Sequence, residues 1–330
     1  MWPPKSKPAT SAPKNSKFLP GLLLPLLLTA ACGPGAKEVP ADSASPALSV
    51  RVAPLHDYAW TDREGIGQPD RFKPEAEREA LYDDLTARPA DLLVLRGLGH
   101  PETLEHLRAA LADRGLAFEY ALYLPGPDRY RGAGFLSRTP FDEILDLSAQ
   151  TFRIRGEQHQ PFAGAVRFGA LWVWNAHAPS PLQDYERRRN EARLLSQALR
   201  QQLADGHDVL LSLHSREDPG TPMLRMIEDT GLLELPAADD RSDRWTFRDP
   251  GHIHYHRDQW LFASPGLAPR LAPARVLDSP ELRAAGPFRH QTLTLPLSEA
   301  PSANSRRPSP ADPAPAQTPQ PPRNRDPEPR

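Results

Sequence analysis

An α/β domain is predicted between residues 47 and 297, on three observations. Short apolar runs alternate with helix-period segments along the whole stretch. Two of the runs, Asp91 to Leu95 (DLLVL) and Asp208 to Leu213 (DVLLSL), are apolar on both faces, as interior strands of a covered sheet must be. The segment Gln183 to Leu203 gathers Ala192, Leu195, Ala198 and Leu199 on one helical face with charges opposite, which suits a helix laid on a sheet.

The strand candidates, in order, are Leu48 to Pro54, Asp91 to Leu95, Ala133 to Leu136, Ala170 to Asn175, Asp208 to Leu213, Trp260 to Ala263 and Thr292 to Pro296. Helices are expected between them, at Lys73 to Ala87, Glu102 to Arg114, Gln183 to Leu203 and Met223 to Leu232. No internal repeat is visible.

Both ends differ in composition from this middle. The first 32 residues open with Lys5, Lys7, Lys14 and Lys17 and no acidic residue, then run apolar from Leu19 to Ala31 and stop at Cys32, which reads as a secretory signal. The apolar run is too short for a bilayer core of about 30 Å, and Pro20, Gly21 and Pro25 interrupt it. Cys32 is the single cysteine, so no intramolecular disulfide is possible. The order Leu28-Thr29-Ala30-Ala31-Cys32 resembles a bacterial lipobox with its leucine one place early; plain signal cleavage after Ala31 is the alternative. Lipidation of Cys32 would make this a lipoprotein of the cell envelope, attached to a membrane rather than spanning it. Residues 33–46 read as a flexible tether and residues 298–330 as a Pro-rich disordered tail that cannot bury a core.

The net charge of −2 gives no long-range field for a polyanion, and basic residues stand beside acidic ones throughout. There is therefore no strong nucleic-acid signal, and no feature names a protein partner.

Several motifs stand in order across the middle: Gly132 to Phe141 (GAGFLSRTPF), Trp174 to Ser180 (WNAHAPS), a helix bearing Arg187, Asp208 to Ser215 (DVLLSLHS), the helix segment MLRMIEDTGLLEL, and RDQWLFASPGL from Arg257. Over roughly residues 48 to 297 this order resembles the endonuclease/exonuclease/phosphatase superfamily. The resemblance implies a deoxyribonuclease I-like four-layer α/β sandwich, two packed mixed β-sheets flanked by helices. It also implies metal-assisted attack of water on a phosphoric ester, with carboxylates holding Mg²⁺ or another divalent metal.

At the positions that match the family's motifs, most of those carboxylates are replaced. The first-strand Asn is His56, and the metal-binding Glu after LLVL gives way to Arg96 and Gly97. In the Gly-Asp-Phe-Asn segment the Asp is Leu213 and the Asn is Ser215, with His214 between. Gln259 stands for the Asp of the Arg-Ile-Asp strand, although Asp258 lies one place away, and Phe288-Arg289-His290 stands for Ser-Asp-His. Of the catalytic polar set, Asn175, His177 and His290 remain. A degenerate member that binds rather than hydrolyses is the favoured reading. His56, Arg96 and Arg289 would then make the pocket receptive to a phosphate-containing or anionic ligand. The alternative is an active hydrolase whose metal is held by His56, His177, His290 and His214, or by a relocated carboxylate such as Asp258, Glu217 or Asp218.

Other clusters carry blander expectations. His214 should be a core or helix-facing residue, and His252, His254 and His256 (HIHYH) should line a solvated hairpin face rather than a metal. Arg187, Arg188 and Arg189 should be solvated, and Trp172, Trp174, Trp245 and Trp260 should pack in the core or at its rim.

Overall fold

The structure, a computed structural model, describes residues 47–55, 58, 73–126, 132–178, 185–249 and 254–296. The expectations on Cys32, His56, His252, the leader, the tether and the tail lie outside the described residues.

The chain runs β1 (Ala47–Pro54), α1 (Glu75–Ala87), β2 (Leu92–Arg96), α2 (Pro101–Ala112), β3 (Tyr120–Leu124), β4 (Ala133–Ser137), β5 (Glu143–Asp146), β6 (Phe152–Ile154), β7 (Glu157–His159), β8 (Phe162–Phe168) and β9 (Leu171–His177). It continues through α3 (Tyr185–Ala204), β10 (Asp208–His214), α4 (Pro222–Glu228), β11 (Leu233–Glu234), β12 (Phe247–Arg248), β13 (Tyr255–His256), β14 (Gln259–Ala263), β15 (Arg275–Leu277), α5 (Pro280–Ala285) and β16 (His290–Pro296). Two six-stranded mixed sheets result, ordered β15-β16-β1-β2-β4-β3 and β11-β14-β10-β9-β8-β5. The parallel neighbours β1 and β2, and β9 and β10, are joined through α1 and α3, because parallel strands need a long crossover.

Period-two alternation decides the layers. Leu48, Val50 and Val52 of β1 meet Val173, Leu210 and Leu261 of the other sheet in one buried core. The intervening Ala53, with Leu55 beyond, packs with Leu81, Leu85 and Leu107 of α1 and α2. On the second sheet Trp172, Trp174, Leu211, Leu213 and Trp260 pack with Leu195 and Leu199 of α3 and Leu224 and Ile227 of α4. The order helix, sheet, sheet, helix is the expected four-layer sandwich.

The strands that sequence reading passed over lack its signals. Phe162–Phe168 (FAGAVRF) is buried on both faces and small in the middle, so it shows no alternation. Its smallness matters to packing: a Cβ on Gly164 would stand 2.6 Å from Leu124 of the opposite sheet, so glycine admits that leucine. Helix α4 stops at Glu228, four residues before the expected end, where Gly231 takes φ of 94° and turns the chain.

One charged cluster holds α1 to its sheet. Arg51, on the α1 side of β1, is ion-paired with fully buried Asp84, which also receives Arg88 Nη2 at 2.6 Å and Ser279 Oγ at 2.9 Å. Arg51 Nη1 donates to the Asp84 and Arg88 carbonyls, each at 3.1 Å. Removing Asp84 would strand a buried cation, so Asp84→Ala should cost about 3–5 kcal/mol. Removing Glu105 from its exposed pair with Arg108 should cost under about 1 kcal/mol. Urea unfolding of the two variants checks the contrast, and equal small losses would contradict it.

Candidate functional site

Where the facing inner sides of the sheets end, at the C-termini of β2, β9 and β10, the alternation that built the apolar core delivers polar residues instead. Val94 is followed on its face by Arg96, Val173 by Asn175 and His177, Leu210 by Ser212 and His214, and Leu261 is preceded by Gln259. Register places Asn175 beside Ser212, and His214 between His177 and Gln259. Gln259 therefore occupies the mouth, and by alternation Asp258 points to the opposite face.

Arg96 crosses from one sheet to the other. Its Nε donates to Asn175 Oδ1 at 2.7 Å, and its Nη2 donates to the Ser212 carbonyl and hydroxyl, both at 2.7 Å. Asn175 Nδ2 returns a bond to the Leu95 carbonyl at 3.0 Å, so each sheet both gives and receives. Arg96 is 5% exposed, and burial pulls its pKa down to about 9, which leaves it cationic at neutral pH. Gly97 follows with φ of 74°, a conformation that a side-chain-bearing residue adopts only with strain.

His177 stacks on Phe162 at 5.6 Å between ring centroids and lies 4.7 Å from the His214 ring. Contrary to expectation, His214 faces the mouth, not a helix. Burial first, then His177, Arg96 and Arg216, holds it well below the usual histidine range. Its Nδ1 and Gln259 Oε1 are buried without a hydrogen-bond partner among the described residues. Gln259 Nε2 donates to the Arg289 carbonyl at 3.0 Å.

The other expected site residues are elsewhere or already engaged. His290 lies on the α1 face of its sheet, where Nδ1 accepts from Arg51 Nε at 3.1 Å. Since arginine only donates, the ring proton is on Nε2. Burial, Arg51 and Lys73 keep this ring neutral. The structure thus brings Arg96, Asn175 and His177 together and sets His290 apart. Arg289 is ion-paired with Asp239, lies 3.6 Å from Asp278, and lays its guanidinium 4.0 Å over the Trp245 ring. Arg289 is thus engaged by carboxylates, whereas Arg96 has three neutral acceptors and an Nη1 buried without a partner among the described residues.

Two of the three carboxylates considered for relocation are also committed. Glu217 pairs with Arg188, Asp218 is exposed, and Asp258 lies 3.3 Å from Arg216 Nε. Burial nevertheless raises Asp258, against the pull of Arg216. Arg187 pairs with Glu191 at 2.8 Å, so the helix arginines are less free than solvation alone would leave them. His254 and His256 are exposed, and His256 stacks on Phe247 across the β12 and β13 ribbon. Trp172, Trp174 and Trp260 are core residues, as expected. Ser212 was missed by sequence reading, although alternation within DVLLSLH places it on the face of Leu210 and His214.

A divalent cation does not fit this donor set. The seat between the sheets holds a guanidinium, and its oxygens are an amide, a hydroxyl and a carbonyl already accepting from Arg96. Among the described residues no group of three or more His, Cys, Asp or Glu side chains can hold a metal ion.

Two mixed sheets packed face to face, with helices outside and a polar mouth at their common end, define the endonuclease/exonuclease/phosphatase fold, the deoxyribonuclease I-like sandwich. The 3'-5' exonuclease NExo from Neisseria meningitidis is similar at TM-score 0.54 and 15% identity, covering 74% of this chain and 98% of that one. An endonuclease/exonuclease/phosphatase from Bacteroides vulgatus reaches TM-score 0.58 at 11% identity, covering 77% and 100%. An AP endonuclease from Archaeoglobus fulgidus reaches 0.55 at 11%, covering 75% and 99%. At these identities the likeness is one of fold. No family model and no curated protein matches the chain.

The buried histidines make stability depend on pH. An unfolded histidine titrates near 6.5, whereas His214 and His290 are held lower in the fold. Below about pH 6.5 the unfolded chain binds protons that the folded chain refuses, so stability falls as the pH drops. Urea unfolding from about pH 7.5 to 5.5 should show this loss. His214→Asn should remove up to about 1.4 kcal/mol per pH unit from the slope. An unaltered slope in the variant would count against a neutral His214.

Proposed function

We propose that the chain is an exported, lipid-anchored envelope protein whose domain has lost metal-dependent ester hydrolysis and serves as a binding module. The observation that carries this reading is the Arg96 bridge, which puts a positive charge and its three neutral acceptors where metal-assisted chemistry needs carboxylates. Restoring a ligand is not a single substitution, because Gly97, at the place of the family's glutamate, has a left-handed backbone. His177 and His214 could still move a proton, but among the described residues they belong to no group of three or more metal-ligating side chains.

The full chain, assayed on a chromogenic phosphodiester and on plasmid DNA with Mg²⁺, Mn²⁺, Zn²⁺ or EDTA, is expected to show no metal-dependent turnover. Turnover that EDTA and His177→Ala both abolish would establish the active, rebuilt hydrolase instead. Anchoring is tested separately in a bacterial host. The chain should fractionate with membranes and incorporate labelled fatty acid, and Cys32→Ser should lose both; a variant that keeps the label disproves attachment at Cys32.

A further inference from the structure

Beside the mouth, beyond Phe288, the β12 and β13 ribbon and α5 enclose a cavity of about 840 Å³. Its size falls in the range of small-molecule sites, roughly 300–1,000 Å³. Four arginines line it, and their pairing differs. Arg283 is held by both oxygens of Asp278, at 2.8 and 3.0 Å, and Arg289 by Asp239. Arg241 and Arg248 also line it, both exposed, and neither has an acidic partner among the described residues. The remaining acid of the lining, Glu77, lies 3.8 Å from Lys73.

The cavity thus carries two unpaired guanidiniums, and planar forked donors match phosphate oxygens. A phosphate monoester brings close to two negative charges, which balances them. Its wall is aromatic: Tyr255, 51% exposed, leans on Trp245 at 4.8 Å between centroids. Beneath the wall, Arg289 Nε is buried without an acceptor among the described residues. We propose that this cavity binds a phosphate monoester carried on a ring, with the phosphate on Arg241 and Arg248 and the ring against Tyr255.

The inference deepens the binding-module reading and rests on it. Titration calorimetry of the full chain with AMP, ribose 5-phosphate, adenosine and inorganic phosphate tests it. The two esters should bind saturably, with adenosine and free phosphate at least about tenfold weaker. The double substitution Arg241→Ala with Arg248→Ala should weaken AMP by about tenfold or more. Both side chains are exposed, so the thermal midpoint of the variant should stay that of the parent. Absence of saturable ester binding, equal binding of free phosphate, or a variant that binds AMP like the parent overturns the proposal. Release of phosphate from the ester would overturn the loss of hydrolysis alone, whereas arginine-independent binding overturns this site alone.

Discussion

A guanidinium removed from water must find oxygen acceptors nearby, and Arg96 finds its acceptors on the opposite sheet. That requirement organises the polar end of the sandwich. Asn175 must turn its carbonyl toward Arg96, which leaves its amide for the Leu95 carbonyl. Ser212 must present both hydroxyl and carbonyl, which accounts for a serine on the inner face of a strand otherwise filled by valine and leucine. Burial of His214, with His177, Arg96 and Arg216 beside it, disfavours its protonation, so the imidazole is held neutral. The mouth thus has a cation built in and neutral oxygens around it.

The same exchange recurs on the far side of the first sheet. His290 keeps its ring but serves Arg51 as an acceptor, and Arg51 is balanced by Asp84 beneath α1. Asn175 and His290, two of the retained polar residues, thus each accept from an arginine. Each therefore has a structural role in packing and charge balance. The two clusters differ in one respect that decides their cost. Arg51 has a buried carboxylate as counter-ion, while Arg96 has neutral acceptors only, so Arg96 contributes specific register between the sheets more than net attraction.

Much of this was legible in the chain. Interior strands announced themselves as continuous apolar runs, and α3 by its stripe of Ala192, Leu195 and Leu199. Motif order then identified the sandwich, and the loss of acidic residues at matched positions was a matter of reading letters. The partners of each arginine were not legible. Whether Arg96 turns to a ligand or to Asn175 depends on a contact between residues 79 apart, and the pairing of Arg289 with Asp239 spans 50. Sequence separation of that size carries no local signal. His214 differs for another reason: the motif match sets Leu213 at the mouth and so turns His214 away, whereas the strand register puts His214 beside His177, on the same face as Ser212.

These pairings also relocate the surface available to an anion. In the mouth a ligand would compete with three acceptors already bonded to Arg96, whose Nη1 is buried without a partner among the described residues. Around the β12 and β13 ribbon the balance runs the other way. There acidic residues neutralise Arg283 and Arg289 but stop short of Arg241 and Arg248, which remain in water at the cavity wall. Binding energy comes most cheaply where charge is uncompensated and still hydrated, because little must be broken before the new bond forms. Phe288 marks the divide between the two regions, 6.3 Å from the His214 ring on one side and part of the cavity lining on the other. On the proposed reading, absence of metal-assisted chemistry and presence of a recognition surface would both follow from one distribution of arginines over the same fold.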